Sequence, residues 1–354
     1  MKWEENVRRV VPYVPGEQPK RKDIIKLNTN ECPYAPAPGI KKALEEYEVD
    51  ALRLYPDPNV SDLVSALANT YKVNQENVFV GVGSDDVLAM AFLTFFNSDK
   101  KILFPDITYS FYDVWADLYR IPYEVQPLDE AFCIRKEDYF KENGGIIFPN
   151  PNAPTGVDMP LSDIEEIVSK NPDVVVIVDE AYVDFGGESA LPLIEKYENL
   201  LVVQTFSKSR ALAGIRIGYA FGSKKLIQYL NDVKFSFNSY TMNRLTGVVG
   251  CSCLEDVAYF EECVRKVMAT RERTKERLKE LGFTFGDSKA NFIFATHKSV
   301  AAKQIFEALK EAGIYVRYFN KPRIDNHLRI SIGTDEEMDA MLEFLEQYLQ
   351  KCEG

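Results

Sequence analysis

The chain has 354 residues, with 42 Lys and Arg against 54 Asp and Glu for a net charge of −12, and 46 % of its side chains are apolar. That length supports one large core or about two domains, and the proportions exclude disorder, collagen-like repeats and a small disulfide scaffold. The acidic balance argues against nucleic acid as a partner, because the basic stretches at 20–22 and 271–279 are short or interleaved with Glu272, Glu276 and Glu280.

The first 40 residues carry Pro12, Pro15, Pro19, Pro33, Pro36 and Pro38, which forbid one continuous helix and suggest an arm packed on a neighbour. The opening Met-Lys-Trp-Glu-Glu lacks the apolar segment of a signal peptide. No later run reaches the roughly 18 apolar residues of a membrane span, and the longest candidate, 88–96, fits a buried helix, so a cytoplasmic protein is expected. Over 49–245, short β-rich runs (77–82, 101–104, 123–126, 145–148, 174–178, 200–204, 216–221) alternate with amphipathic stretches (61–71, 84–96, 109–119, 162–169). That rhythm predicts a three-layer α/β domain, a mainly parallel sheet covered by helices. Residues 174–178 are all β-branched and apolar between Asp173 and Asp179, which marks a central strand buried on both sides. After residue 241 the pattern becomes a long helical stretch to about 281, a strand at 291–295, a helix over 299–312, strands near 315–318 and 328–332, and a closing helix from Asp335. This order predicts a smaller α+β domain over 246–354, with residues 1–48 forming the arm and part of that domain.

Cys32, Cys133, Cys251, Cys253, Cys263 and Cys352 form neither a CxxC pair nor a paired framework, and are read as buried reduced thiols. His297 and His327 are the only histidines, with no cluster at a ligand spacing, so neither a metal site nor a serine–histidine triad is expected.

Three segments carry possible chemistry. Gly81-Val-Gly-Ser-Asp-Asp86 follows a strand and opens a helix. Its glycines allow close backbone approach, and Ser84 or Asp85 can cap a helix whose N-terminus suits a phosphate. It matches neither the dinucleotide fingerprint nor the triphosphate loop. Asp179 ends the most buried strand, where a carboxylate needs a cation or donors to meet it. Lys208 follows the apolar strand 200–204 and is flanked in sequence by Arg210 and Arg216, a setting that depresses an amine pKa and makes it a nucleophile toward carbonyls. Thr205 and Ser207, with Arg216, suit a phosphate dianion. Singly, each has a bland reading: a capped helix, an N-cap aspartate, a solvated lysine. Together they meet the needs of pyridoxal 5'-phosphate, which takes a lysine for its Schiff base, an acid at its pyridine nitrogen and an anion site for its phosphate.

With these residues in place, the sequence resembles the fold-type-I pyridoxal-phosphate aminotransferases of the aspartate-aminotransferase superfamily. The motifs VVVIVDEAY at 174–182, TFSKSRALAGIRIG at 205–218 and PNPNAPTG at 149–156 match in the expected order. PYVPGEQP at 12–19, LNTNECP at 27–33, LYPDP at 54–58, YVRYF at 315–319 and LRISIGT at 328–334 are similar to the histidinol-phosphate aminotransferase branch. The resemblance implies Lys208 as the Schiff-base lysine and proton carrier, Asp179 at the pyridinium nitrogen, Tyr182 and Asn152 at the phenolic oxygen and Tyr109 stacked on the ring. It further implies that Ser84, Asp85, Thr205, Ser207 and Arg216 hold the phosphate, with Tyr55 reaching in from the other subunit of a homodimer. Arg329 matches the superfamily's carboxylate-binding arginine, and Tyr13, Arg317 and Arg323 join it as substrate-phosphate contacts. The implied reaction moves an amino group from histidinol phosphate to 2-oxoglutarate by a ping-pong route, with aromatic amino acids, or decarboxylation of phosphothreonine, as alternatives within the superfamily. Two departures stand out: Ala153 replaces the Asn that directly precedes Pro-Thr-Gly, leaving Asn152 offset, and Cys32 replaces the second Asn of Asn-Glu-Asn-Pro. Two non-enzymatic readings fit less well. A pyridoxal-phosphate-binding regulator needs a DNA-binding module that the proline-rich stretch before residue 49 cannot house, and a bare scaffold leaves the three segments to coincidence.

Overall fold

The computed structural model describes residues 2–19 and 23–353, so the basic stretch at 20–22 lies outside the described residues. Strand β1 (Ile25–Lys26) leads into helices α1 (Gly39–Glu45) and α2 (Ser61–Tyr71). Then come β2 (Val78–Gly81), α3 (Ser84–Phe95), β3 (Ile102–Pro105), α4 (Tyr112–Tyr119), β4 (Tyr123–Gln126) and β5 (Ile146–Pro149). They are followed by α5 (Leu161–Lys170), β6 (Val176–Asp179), β7 (Leu200–Thr205), β8 (Gly218–Gly222) and α6 (Lys224–Phe237).

Seven of these strands form one sheet in the order β2-β8-β7-β6-β5-β3-β4. The pairs β3–β4, β3–β5, β5–β6 and β6–β7 are parallel, and β8 runs antiparallel to both β2 and β7. β6 is the middle strand, and its residues divide between the two faces: Val176 and Val178 pack into one core, Ile177 into the other. Each such buried side chain contributes about 1.5–3 kcal/mol, which is why an unbroken apolar run forms a central strand here rather than an exposed one. Val174 and Val175 precede the strand and are half-buried.

The helical stretch after residue 241 is two helices, α7 (Arg244–Glu255) and α8 (Val257–Glu280). The break falls at Asp256, whose carboxylate accepts the Gly39 N–H of α1 at 2.8 Å. Neither glycine nor proline marks it, since the cause is a partner over two hundred positions away. The chain continues with β9 (Phe283–Phe285), β10 (Phe292–His297), α9 (Ala302–Glu311), β11 (Ile314–Tyr315), β12 (Arg317–Tyr318), β13 (Leu328–Ser331) and α10 (Asp335–Glu353). β12-β13-β10-β9 is an antiparallel sheet, and β11 leaves it to pair in parallel with β1. Met338, Met341, Leu342, Leu345 and Leu349 line one face of α10 at helical spacing and join Ile305 and Leu309 of α9 in the core over this sheet.

The thiols differ from the sequence reading. Cys253 and Cys263 are buried, Cys32, Cys133 and Cys251 are half-buried, and Cys352, on the outer face of the last helical turns, is exposed. Among the described residues no helix is long and apolar enough to cross a membrane, and no His, Cys, Asp and Glu group is arranged to hold a metal.

Candidate active site

Strand register gathers the site. Gly81 pairs with Gly218, Gly218 with Thr205, Val203 with Asp179, and Asp179 with Pro149. The C-terminal ends of β2, β7, β6 and β5 and the N-terminal end of antiparallel β8 therefore lie along one sheet edge, where the polar segments found in sequence all emerge. Gly218 is required there, because a Cβ on it would lie 2.2 Å from the Gly83 carbonyl carbon and the Ser84 nitrogen.

Along that edge runs a cavity of about 170 Å³ lined by Ser84, Asp85, Tyr109, Asp179, Tyr182, Thr205, Ser207, Lys208 and Arg216, together with Thr29, Glu31, Pro149, Ala153, Ala181 and Ala213. A larger groove, about 610 Å³, lies against α1, α2 and α7 and gathers none of these side chains. Asp179 and Lys208 share the smaller cavity. Asp179 is 4 % exposed. Tyr112 O–H donates to its Oδ2 at 2.8 Å, and Ala181 N–H to its Oδ1 at 3.3 Å. Burial pushes its carboxyl up to about 6, with Tyr112, Ala181 and Lys208 opposing the rise and Asp85 adding to it. The Lys208 ammonium donates to the Thr29 carbonyl at 3.2 Å and lies 5.7 Å from the centre of the Tyr182 ring.

The turn before α3 is capped differently from the sequence reading. Gly83 is the N-cap, at φ +88°, and Ser84 and Asp85 lie inside the first turn, while the Asp86 carboxylate accepts the Val82 N–H at 2.9 Å. A Cβ on Gly83 would stand 2.4 Å from Arg216 Nη2, so only glycine lets this guanidinium lie on the turn. Arg216 also donates to Asp85 Oδ2 at 3.1 Å and Ser207 Oγ at 3.4 Å, and Ser207 Oγ accepts from Thr205 Oγ1 at 3.0 Å. A helix N-terminus, two hydroxyls and a guanidinium thus face one point. Tyr109 O–H donates to Asp85 Oδ1 at 2.6 Å. The two arginines that flank Lys208 in sequence part company: Arg216 shares the cavity, and Arg210 is buried away from its wall against Phe206 and Phe260.

Three other expected residues need correction or qualification. Asn152 is not on the cavity wall: its amide donates to Ile107 O and Thr155 Oγ1, each at 3.0 Å, and accepts from Thr108 Oγ1 at 3.1 Å. Ala153 lines the cavity in its place. Arg323 donates to Asp106 Oδ2 at 2.9 Å and to the Leu128 and Asp129 carbonyls at 2.8 and 2.9 Å, and with Tyr13 and Arg317 it lines a second cavity of about 590 Å³ beside the first. Tyr55 is apart from this chain's cavity, 77 % exposed and stacked on Tyr240 at 4.7 Å.

Arg329 and Arg317 are direct cross-strand partners on β13 and β12, an arrangement that repels unless an anion lies between. Arg329 donates to the Asn28 carbonyl at 3.0 Å, its buried Nε has no partner, and Phe292 and Phe319 lie 5.4 and 5.6 Å from it. Burial presses its pKa down, Tyr182 opposes that, and Arg317 adds to it. Tyr13 stacks on Phe111 at 4.1 Å and faces Arg329 from the arm.

Two functional positions lie outside the candidates read from the sequence. Asn30, in the left-handed region at φ +57°, donates its amide to the Tyr182 oxygen at 2.9 Å and is held by Ser331 and Asn291. Tyr112, the partner of Asp179, is one of many aromatics on a helix. Asn30 carries a signal in the motif at 27–33, whereas Tyr112 has none, because its partner Asp179 lies far along the chain.

A family model described as aminotransferase class I and II matches residues 22–345. The chain belongs to the class I and II aminotransferases. Among curated aminotransferases it is 52 % identical over 353 residues to the histidinol-phosphate aminotransferase of Lactococcus lactis subsp. cremoris, covering 100 % of this chain and 99 % of that one. It is 53 % identical over 340 residues to that of Brachyspira hyodysenteriae, with 96 % of each covered. Among solved structures, the Sinorhizobium meliloti histidinol-phosphate aminotransferase in complex with pyridoxal-5'-phosphate has the same fold, with a TM-score of 0.87 at 23 % identity over 96 % of each chain. The Clostridium acetobutylicum enzyme of that name aligns with a TM-score of 0.86 at 22 % identity, over 93 % of this chain and 100 % of that one.

Proposed function

We propose that this aminotransferase transfers the amino group of histidinol phosphate to 2-oxoglutarate, giving imidazole-acetol phosphate and glutamate, with pyridoxal 5'-phosphate as cofactor. The observation that carries the reading is the single cavity shared by Lys208 and the buried acid Asp179 beneath the Gly83–Arg216 turn. The residues fit the cofactor's parts: an acid whose burial favours its neutral form awaits a cationic partner, and a glycine-bare turn with a guanidinium on it awaits a dianion.

When bound, the cofactor supplies an electron sink for the substrate carbon that bears the amine. Everything else falls to the chain. The Ser84 and Asp85 backbone groups, with Thr205, Ser207 and Arg216, would fix the phosphate end, and Asp179, locked by Tyr112, would hold the ring nitrogen protonated. Tyr109 would cover the ring face. Tyr182, its oxygen oriented by Asn30, would serve the ring's oxygen. Lys208 would carry the aldehyde and, once displaced by the substrate amine, take and return the proton at the substrate carbon. Arg329, with Arg317 and Tyr13, would take an anionic group, since a guanidinium fork suits a carboxylate or a phosphate equally. That shared chemistry lets one site serve both half-reactions. We also place the enzyme in the cytoplasm as a homodimer: six free thiols suit a reducing compartment, and the exposed Tyr55 would complete the partner's site.

Histidinol phosphate should bleach the yellow holoenzyme at lower concentration than phenylalanine, phosphothreonine should yield no carbon dioxide, and double-reciprocal plots should be parallel. A protein that takes up no pyridoxal phosphate, or one bleached first by phenylalanine, overturns the assignment.

A further inference from the structure

Asp179 and Lys208 are each followed closely by a buried charge that does not line the cavity: Glu180, 2 % exposed, and Arg210, 7 % exposed. The Glu180 carboxylate accepts from Ser189 Oγ and Ala190 N–H, each at 2.6 Å, and from Gln204 Nε2 at 2.8 Å. Beyond Gln204 the bonds have one consistent direction. Gln204 Oε1 accepts from Tyr219 O–H at 3.0 Å, which uses the only proton of that hydroxyl. Tyr71 must therefore be the donor in its 2.6 Å bond with Tyr219, and the Arg210 guanidinium lies close to both hydroxyls. The chain runs from Tyr71 through Tyr219 and Gln204 to Glu180, every link polarised the same way, with the Arg210 cation beside one end and, at the other, a carboxyl that burial pushes up to about 7. Phe206 and Phe260 hold the guanidinium at 5.3 and 4.1 Å, and Asp184, which accepts from Ser209 Oγ, faces it as a second anion.

Two buried charges joined in this way stabilise a fold no better than apolar packing would, so what they add is orientation. Their ends sit one residue past Asp179 and two past Lys208, and the links cross β6, β7, β8 and the end of α2. We infer that this hydrogen-bond chain positions the reacting pair, Glu180 and Arg210 acting as positioning residues that fix how Asp179 and Lys208 face each other across the cavity. The inference rests on the function proposed above and deepens it.

The test uses Tyr71→Phe, Glu180→Gln and the double variant, each reconstituted with pyridoxal phosphate. Tyr71→Phe removes one oxygen from a half-buried ring outside the cavity, and so guards against failure of Glu180→Gln to fold. We expect kcat to fall about 10-fold in Tyr71→Phe and about 10- to 100-fold in Glu180→Gln, with KM held within about 3-fold. The double variant should be no worse than Glu180→Gln, because both interrupt one unit. The pH midpoint of the visible absorption band should shift in Glu180→Gln by about half a unit or more, since the buried titrating carboxyl at the end of the chain is removed. Variants superimposable on wild type in both readouts, or kcat losses that simply multiply, overturn the inference while leaving the function intact. A wild-type protein that stays colourless in pyridoxal phosphate overturns both.

Discussion

Asp179 holds its proton more tightly than an ordinary surface aspartate does. Its carboxyl sits at about 6 instead of the usual 3.8, first because of burial. Between those values the folded chain binds the proton more tightly than the unfolded chain. Stability of the cofactor-free protein is therefore expected to fall as pH rises through that window and to level off above it. Asp179→Asn stays neutral throughout, so the gap between its urea-unfolding free energy and that of wild type should widen across the window to about 2–3 kcal/mol at neutral pH. Parallel curves for the two proteins would show that the acid is not held as described. Arg329 offers a second test. With its guanidinium buried, one nitrogen unpartnered and Arg317 directly opposite, Arg329→Met should raise KM for both phosphate- and carboxylate-bearing substrates about 10- to 100-fold. Arg329→Lys should not rescue it, since an ammonium has no fork. An unchanged KM would remove Arg329 from the substrate site. At this scale Lys208 and Asp179 were legible because each ends an apolar strand in a recognisable run. Arg323 is harder to read, because a sequence shows its charge and hides the carboxylate and two carbonyls that it bonds.

The elements were legible in proportion to how local their causes are. β6 follows from an unbroken β-branched run and α10 from apolar residues at helical spacing. The Asp256 break follows from a bond to Gly39, and the split of 315–318 from the competing pull of β1 and β13, and neither cause is written nearby. α6 went unread although its causes are local: Ser223 caps it and Leu226, Ile227 and Leu230 recur on one face. The sheet edge that carries the site depends on strands approaching at glycine. Gly218→Ala should destabilise by about 2–4 kcal/mol, because its Cβ would meet backbone at 2.2 Å, which cannot swing aside. Gly214→Ala, with nothing within 4 Å of the new carbon, should change stability by less than about 0.5 kcal/mol. Thermal melts of the two variants measure both, and equal melting points would mean the close strand approach is unimportant.

On the scale of the whole molecule, the segment around Tyr55 is pinned by its backbone while its side chain stays exposed. Arg244 donates to the Leu54 and Tyr55 carbonyls at 3.1 and 2.7 Å, and buried Lys234 to the Pro58 carbonyl at 2.9 Å, yet the Tyr55 ring itself is left in solvent. If Tyr55 completes a partner's site, Tyr55→Phe should weaken cofactor binding about 10-fold. Mixing its homodimers with inactive Lys208→Ala homodimers under exchange should then restore intact sites, about a quarter of the total in an equimolar random mixture. No gain on mixing would show that each chain completes its own site. The pairing of β1 with β11 has a further consequence. It seats residues 28–31, with the Thr29 carbonyl that receives Lys208, against strands from the far end of the chain. Those contacts join segments far apart in sequence, so they cannot form until the chain has been made through β13. The reactive amine thus stays without its carbonyl partner until that whole intervening stretch is present.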